Sequence, residues 1–207
     1  MSHRVFFKNL LAVLLASFLL SSCSLLSPVK INPPANYVLQ DPTLEKTLPA
    51  VKSTRVLLVT KIFAPTWLNT QHMAYQNNKE QIDYFAKNQW VASPNQLLQP
   101  IVVHALQNSG MYRAIVASPF SGDYDQRLEI QLLNFQQVFV QDSSYYWFTV
   151  QARLVKNNNQ KIIATKRFNF EIPAPTANPA GGVEAANQAI RVWLPQLIHF
   201  ARAYKNR

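Results

Sequence analysis

Apolar and polar positions alternate most regularly between residues 125 and 172, and that stretch predicts three long strands. From Asp125 to Val140, Leu128, Ile130 and Leu132 fall on one face and Arg127, Glu129 and Gln131 on the other, the period-two pattern of a strand with one buried side. The parity changes near Leu133, because Phe135 and Phe139 fall on the opposite set. A β-bulge near Asn134 restores a single buried face, since one extra residue moves every later side chain to the other side. From Tyr145 to Val155, Tyr146, Phe148, Val150, Ala152 and Leu154 share a face; from Lys161 to Ile172 the inward set is Ile162, Ala164, Phe168 and Phe170. Short polar connections near Asp142–Ser144 and Asn157–Asn159 make these strands an antiparallel meander.

The flanking segments mix strand and helix. Arg55 to Phe63 is rich in β-branched residues and closes at Ala64-Pro65, which predicts a buried strand, and shorter extended pieces follow near His72–Gln76 and Ile82–Phe85. Ser93, Pro94 and Gln96 stand at the N-cap, N1 and N3 positions of a helix whose apolar face is Leu97, Leu98, Ile101, Val102, Ala105 and Leu106, stopped by Gly110 and kinked at Pro100. A second helix, with Ala186, Ala189, Ile190, Trp193, Leu197, Phe200 and Tyr204 at helical spacing, closes the chain. Gly181-Gly182 free the backbone before it, Pro195 bends it, and Asn187 caps or cross-links its first turns. The expected fold is α/β (α+β): a single domain with a largely antiparallel mixed sheet packed by two main helices at about 94–109 and 182–204. These stripes suffice to fill one core, so a dry interior is expected rather than a lipid-sized cavity.

The amino-terminal region follows a different logic. Arg4 and Lys8 precede an apolar run from Leu10 to Leu20, eleven residues and too short to span a bilayer as a helix. Leu20-Ser21-Ser22-Cys23 follows, and Cys23 is the only cysteine of the chain. This resembles a bacterial lipobox: residues 1–22 read as a signal peptide cleaved between Ser22 and Cys23, with an acyl and diacylglycerol anchor on Cys23. The resemblance implies three acyl chains, whereas a single chain binds a membrane only marginally. Ser24 rather than Asp at the next position implies, by the same resemblance, sorting to the periplasmic face of the outer membrane of a Gram-negative cell. Residues 23–36, with Pro28, Pro33 and Pro34, form a lipidated N-terminus and semi-extended tether, and residues 37–207 form the periplasmic domain.

Charge adds less. Without residues 1–22 the chain keeps 18 basic and 10 acidic residues, a net charge of +8, and from Arg153 onward nine basic residues face only Glu171 and Glu184. The periplasm argues against nucleic acid, leaving anionic lipid or an acidic partner. Chemistry is sparse. There is no nucleophile elbow, zincin helix or P-loop. His72, His104 and His199 lack neighbours at metal-ligand spacing, and His104, off the apolar face of its helix, is expected to be solvated. Asp123, Asp125 and Glu129 form a solvent edge rather than a glycosidase pair. No catalytic residue, metal or cofactor is assigned. In Tyr145-Tyr146-Trp147-Phe148, alternation sends Tyr146 and Phe148 inward. Tyr145 and Trp147 then face outward, as a contact surface or under a second helix layer. With Arg191 on the last helix they are the candidate partner contacts.

Several segments together resemble the auxiliary lipoproteins of ABC-type, MCE-linked lipid transport systems. They are Met73-Ala74-Tyr75; Tyr84-Phe85-Ala86; Trp90-Val91 with Pro94; Leu97-Leu98 with Pro100; Leu106 with Ser109-Gly110; and Leu128-Glu129 leading to Phe135. In the last third they are Ala152 with Leu154; Ile163-Ala164-Thr165 with Phe168; and Gly181-Gly182-Val183 with Ala185-Ala186-Asn187. The resemblance implies a non-catalytic outer-membrane lipoprotein that docks on an MCE-domain protein and, through it, serves an ABC permease and ATPase. The chain departs from the pattern after Phe135: Ser144 precedes Tyr145 where an arginine often stands. The competing expectation is a pilotin-like or assembly lipoprotein serving an outer-membrane barrel or secretion complex; a periplasmic hydrolase lacks its nucleophile.

Overall fold

Strand length decides the architecture. β6 (Gln126–Val140) has 15 residues, while β2 (Val56–Val59) and β3 (His72–Asn78) have 4 and 7, so neither covers the edge of β6 alone. The computed structural model, which describes residues 33–44 and 53–206, divides that edge between them. β2 lies parallel along the start of β6, Leu57–Val59 opposite Gln126–Leu128. β3 lies parallel along its end, Tyr75 and Gln76 opposite Gln137 and Val138. A single bridge from Phe63 to Gln131 spans the gap. The other edge of β6 pairs throughout with antiparallel β7 (Ser143–Lys156), which pairs in turn with β8 (Ile162–Pro173).

The sheet is therefore a three-stranded stem that forks. One arm adds β5 (Ala114–Ala117) parallel to β2. The other adds β4 (Gln81–Trp90), hairpinned to β3, and then β1 (Ala35–Tyr37) parallel to β4. The fold class is α/β as expected, a mixed eight-stranded sheet with two helices, with the antiparallel meander as its stem. The parallel arms are what make the expected sheet mixed; the strand bounds are what change. Arg55–Phe63 yields only four strand residues, and the two short pieces near 72 and 82 are one long hairpin.

The predicted bulge is present: Leu132 faces Val150, Asn134 faces Thr149, and Leu133 is the extra residue. Phe135 thereby returns to the core, with its ring edge-on to Tyr146 and Phe148 at 4.9 and 5.6 Å. A second shift, between Leu154 and Val155, was not expected. It leaves Ile163 without a partner, so Ile162 is turned out and 51% exposed rather than buried, while Ile163 packs on the core.

α1 (Pro94–Asn108) begins at Ser93, whose N–H donates to Gln96 Oε1 at 3.2 Å, and runs through Pro100. It buries Leu98, Ile101, Val102, Ala105 and Leu106, and ends at Gly110, whose φ of 61° suits glycine. α2 (Pro179–Tyr204) starts earlier than predicted, with the Asn178 side chain accepting from Gly181 N–H at 3.0 Å. Gly181 and Gly182 thus lie inside the helix, not before it. Their role is close approach: a Cβ on Gly181 would fall 2.2 Å from the Thr176 carbonyl oxygen, and one on Gly182 2.3 Å from Gln137 Oε1. Trp193 packs edge-on against Phe148 at 5.2 Å, which fixes α2 on the Tyr146–Phe148 face of the sheet.

Residues 38–44 cross the helices as a strap. Leu39 enters the core. Gln40 N–H donates to Asn187 Oδ1 at 2.8 Å, Asp41 Oδ2 lies 2.7 Å from His104 Nδ1, and Asn108 donates to the Thr43 carbonyl at 2.7 Å. Asn187 forms a cross-link, but to the strap 147 residues away rather than within the first turns of its helix. His104 is paired with Asp41 rather than simply solvated, because the strap brings a carboxylate to the exposed side of α1.

Candidate functional site

Because both helices and the strap occupy one face, the other face of the stem carries no helix among the described residues. Alternation places Tyr145 and Trp147 there, both half-buried. Past the bulge the same alternation turns Val138 and Val140 outward on β6, opposite Tyr145 and Ser143. β3 reaches β6 at this end, and its last residues close the side. The result is an open groove of about 670 Å³ lined by Gln76 to Lys79, Val138 to Gln141, Tyr145, Trp147 and Glu171. Val140 is 52% exposed within it.

Polar contacts hold the aromatic wall. Trp147 Nε1 donates to Asn169 Oδ1 at 2.8 Å, and the Thr149 hydroxyl donates to the same oxygen. Gln136, the strand partner of Trp147, is buried and donates to Gln76 Oε1 at 3.0 Å, while its own Oε1 has no partner. The Tyr145 hydroxyl is raised above its ordinary pKa, first by burial and then by the Glu171 carboxylate, so it stays a neutral donor at neutral pH. The groove thus offers apolar surface, two aromatic faces, a phenol and one carboxylate.

Toward the other end of this face, Thr60, Lys61, Phe63, Gln131, Gln151 and Arg153 border a shallower cleft of about 380 Å³, with Phe63 61% exposed. Its carboxylate is occupied: Glu129 accepts from Arg127 Nε at 2.7 Å and lies 3.6 Å from Arg153. Asp125 Oδ2 accepts from Val56 N–H at 2.7 Å, holding β2 in place. Among the described residues no group of three His, Cys, Asp or Glu side chains could hold a metal ion. His72 lies with its ring tilted against Tyr84 at 5.6 Å, His104 is taken by Asp41, and His199 is exposed on α2.

The three candidate contacts separate. Tyr145 and Trp147 meet in the groove, while Arg191 lies on α2, in the layer on the opposite face, bonded to Gln188 at 2.9 Å and Gln40 at 3.3 Å. Ser22 and Cys23 lie outside the described residues. Sequence reasoning missed Val138, Val140 and the β3 end. The bulge it predicted turns the two valines outward, but the arrival of β3 beside them is a non-local pairing with no local signal.

A family described as the ABC-type transport auxiliary lipoprotein component matches residues 37–196. The chain belongs to this family. Among solved structures, this family member is similar to a Xanthomonas campestris protein, at 19% identity and a TM-score of 0.69, covering 84% of this chain and 96% of that one. It is also similar to an uncharacterized protein, at 16% identity and a TM-score of 0.60, covering 81% and 98%. At these identities the likeness establishes a shared fold. No curated protein matches the chain. For an auxiliary transport lipoprotein, an uncovered groove without catalytic pairing is the feature to explain. No helix among the described residues is long and apolar enough to cross a membrane.

Proposed function

We propose that this auxiliary lipoprotein is anchored through acylated Cys23 to the periplasmic face of the outer membrane and docks on the MCE-domain protein of an ABC-type lipid transport system, linking it to the permease and ATPase. The family match over residues 37–196 carries the reading. The lipobox-like Leu20–Cys23 and the single cysteine support the anchor. Tyr145 and Trp147, with Val138 and Val140, are the docking face; tyrosine and tryptophan half-buried beside aliphatic side chains give large contact area at low entropic cost. Arg191, on the helix layer, is left out of this face.

The test is affinity purification of the full-length lipidated protein from gently solubilised, cross-linked envelopes, followed by mass spectrometry. Recovery of an MCE-domain protein with its permease and ATPase, cross-linked near Val138–Trp147, is the expected result. Cys23→Ala loses membrane retention. Recovery of a barrel or secretin in their place overturns the reading in favour of an assembly lipoprotein.

A further inference from the structure

The two ends of the sheet carry opposite charge. At the end where β6 begins, the structure gathers Arg55, Arg113, Lys156, Lys161, Arg202 and Lys205. Arg55 donates to the Lys205 carbonyl, Arg113 N–H to the Arg55 carbonyl at 2.8 Å, and Lys156 N–H to the Lys161 carbonyl at 2.9 Å. Both helices finish here, α2 with Arg202 in its last turn. Asp123 and Asp125 are the acids at this end, and none of the six cations forms an ion pair among the described residues. The opposite end, where β6 and β7 turn, carries Glu80, Asp142, Glu171 and Glu184 against Lys79.

We infer that the basic end is a membrane-facing surface that rests on anionic phospholipid headgroups while the groove end points away. The inference rests on the Cys23 anchor of the proposed function. Three observations favour a bilayer over an acidic protein as occupant. First, an anchored domain stays within reach of headgroups: ten residues separate Cys23 from Pro34, and a link of that length can span at most roughly 36 Å. β1, where the domain begins, lies level with about residue 134 of β6 by its pairing through β4 and β3. That is roughly 27 Å of strand from the basic end. Second, Ile162 projects beside Lys161 at 51% exposure, an apolar side chain among cations, as an interfacial contact needs. Third, the acidic end is repelled by the same surface, so the charge separation sets an orientation as well as an attraction. Each Lys or Arg near an anionic surface contributes a factor of about five.

The experiment uses the full acylated protein in vesicles of phosphatidylcholine, with or without about 30 mol% phosphatidylglycerol. Since Cys23 is the only cysteine and is blocked when acylated, Asn158→Cys or Asp142→Cys supplies a single thiol for a fluorophore at the basic or acidic end. Headgroup-linked quencher should quench the Asn158 probe on anionic vesicles and spare the Asp142 probe. About 0.5 M salt should release it, and Lys156→Glu with Lys161→Glu should weaken the contact by about twenty-fold or more. Lys79→Glu, at the other end, should leave it unchanged, and circular dichroism checks that each variant folds. Equal quenching on both vesicle types, quenching of the Asp142 probe instead, or none at either end overturns the inference. Failure of the anchor shows separately, as protein that does not float with phosphatidylcholine vesicles.

Discussion

Gly182→Ala sets two effects against each other, and the structure decides which wins. Alanine in place of glycine in a helix stabilises by about 1 kcal/mol, so propensity alone predicts a more stable protein. The added methyl, however, would fall 2.3 Å from Gln137 Oε1 and 2.8 Å from its Cδ. Gln137 is 1% exposed, so its amide cannot turn out into solvent to make room. Its Nε2 donates to Ser144 Oγ at 2.8 Å and to the Asn178 carbonyl at 3.1 Å, tying β6 to β7 and to the start of α2. Displacing it breaks both bonds and leaves buried polar groups unpaired, a cost of about 3–4 kcal/mol. The net effect is a destabilisation of about 2–3 kcal/mol, or a fall in Tm of about 5–10 °C for a domain of this size. Thermal and urea unfolding followed by circular dichroism measure it. In a Gln137→Ala background the clash is gone, and the same substitution should be neutral or stabilising by up to about 1 kcal/mol. A single variant as stable as the parent would refute the close-approach account of Gly182.

Trp193→Ala removes a fully buried indole that packs on Phe148 and should cost about 3–5 kcal/mol in urea unfolding. Trp147→Ala, on the uncovered face, should change stability by less than about 1 kcal/mol yet reduce cross-linked recovery of the proposed MCE-domain partner about ten-fold or more. Asp41 is held below its ordinary carboxyl value of 3.8: burial raises it, but hydrogen bonds from Thr43 and His104 and the His104 charge outweigh that. A depressed folded pKa gives stability that is present above the unfolded value and lost as pH falls through the folded one. Asp41→Asn should therefore flatten the loss of stability as pH falls below the ordinary carboxyl value of 3.8, measured as Tm against pH.

Local patterns were legible and non-local meetings were not. The β6 bulge followed from the parity of Phe135 because burial on one face leaves only one way to restore register. The helix start at Ser93-Pro94 followed from cap chemistry. Gly181-Gly182 misled, since glycine marks loops more often than helix contacts; its use here depends on Gln137 and Thr176, which no local window contains. Ile162 was misplaced because Ala164, Phe168 and Phe170 share its parity, so no change in the pattern marks the extra residue Ile163 as Phe135 marks the first bulge. The Asp41–His104 pair spans 63 residues and depends on the strap. Half the groove wall, Tyr145 and Trp147, was visible as alternation; the β3 half was not.

The fork of the sheet and the polarity of the domain have one origin. A 15-residue β6 offers more edge than β2 can fill, so β3 joins at its far end and its last residues become a groove wall. The bulge at Leu133 sits between the two arms: before it the inward side chains are Leu128, Ile130 and Leu132, and after it Val138 and Val140 face out. One inserted residue thus keeps Phe135 in the core and supplies apolar side chains to the groove. The opposite end collects strand starts and both helix carboxyl termini, where partial negative charge from the helix dipoles tolerates clustered cations without ion-pair partners. Groove and basic end therefore lie about 40 Å apart along β6. A carrier that held lipid inside would gain nothing from that separation. An adaptor that rests on a membrane at one end and grips a partner at the other requires it.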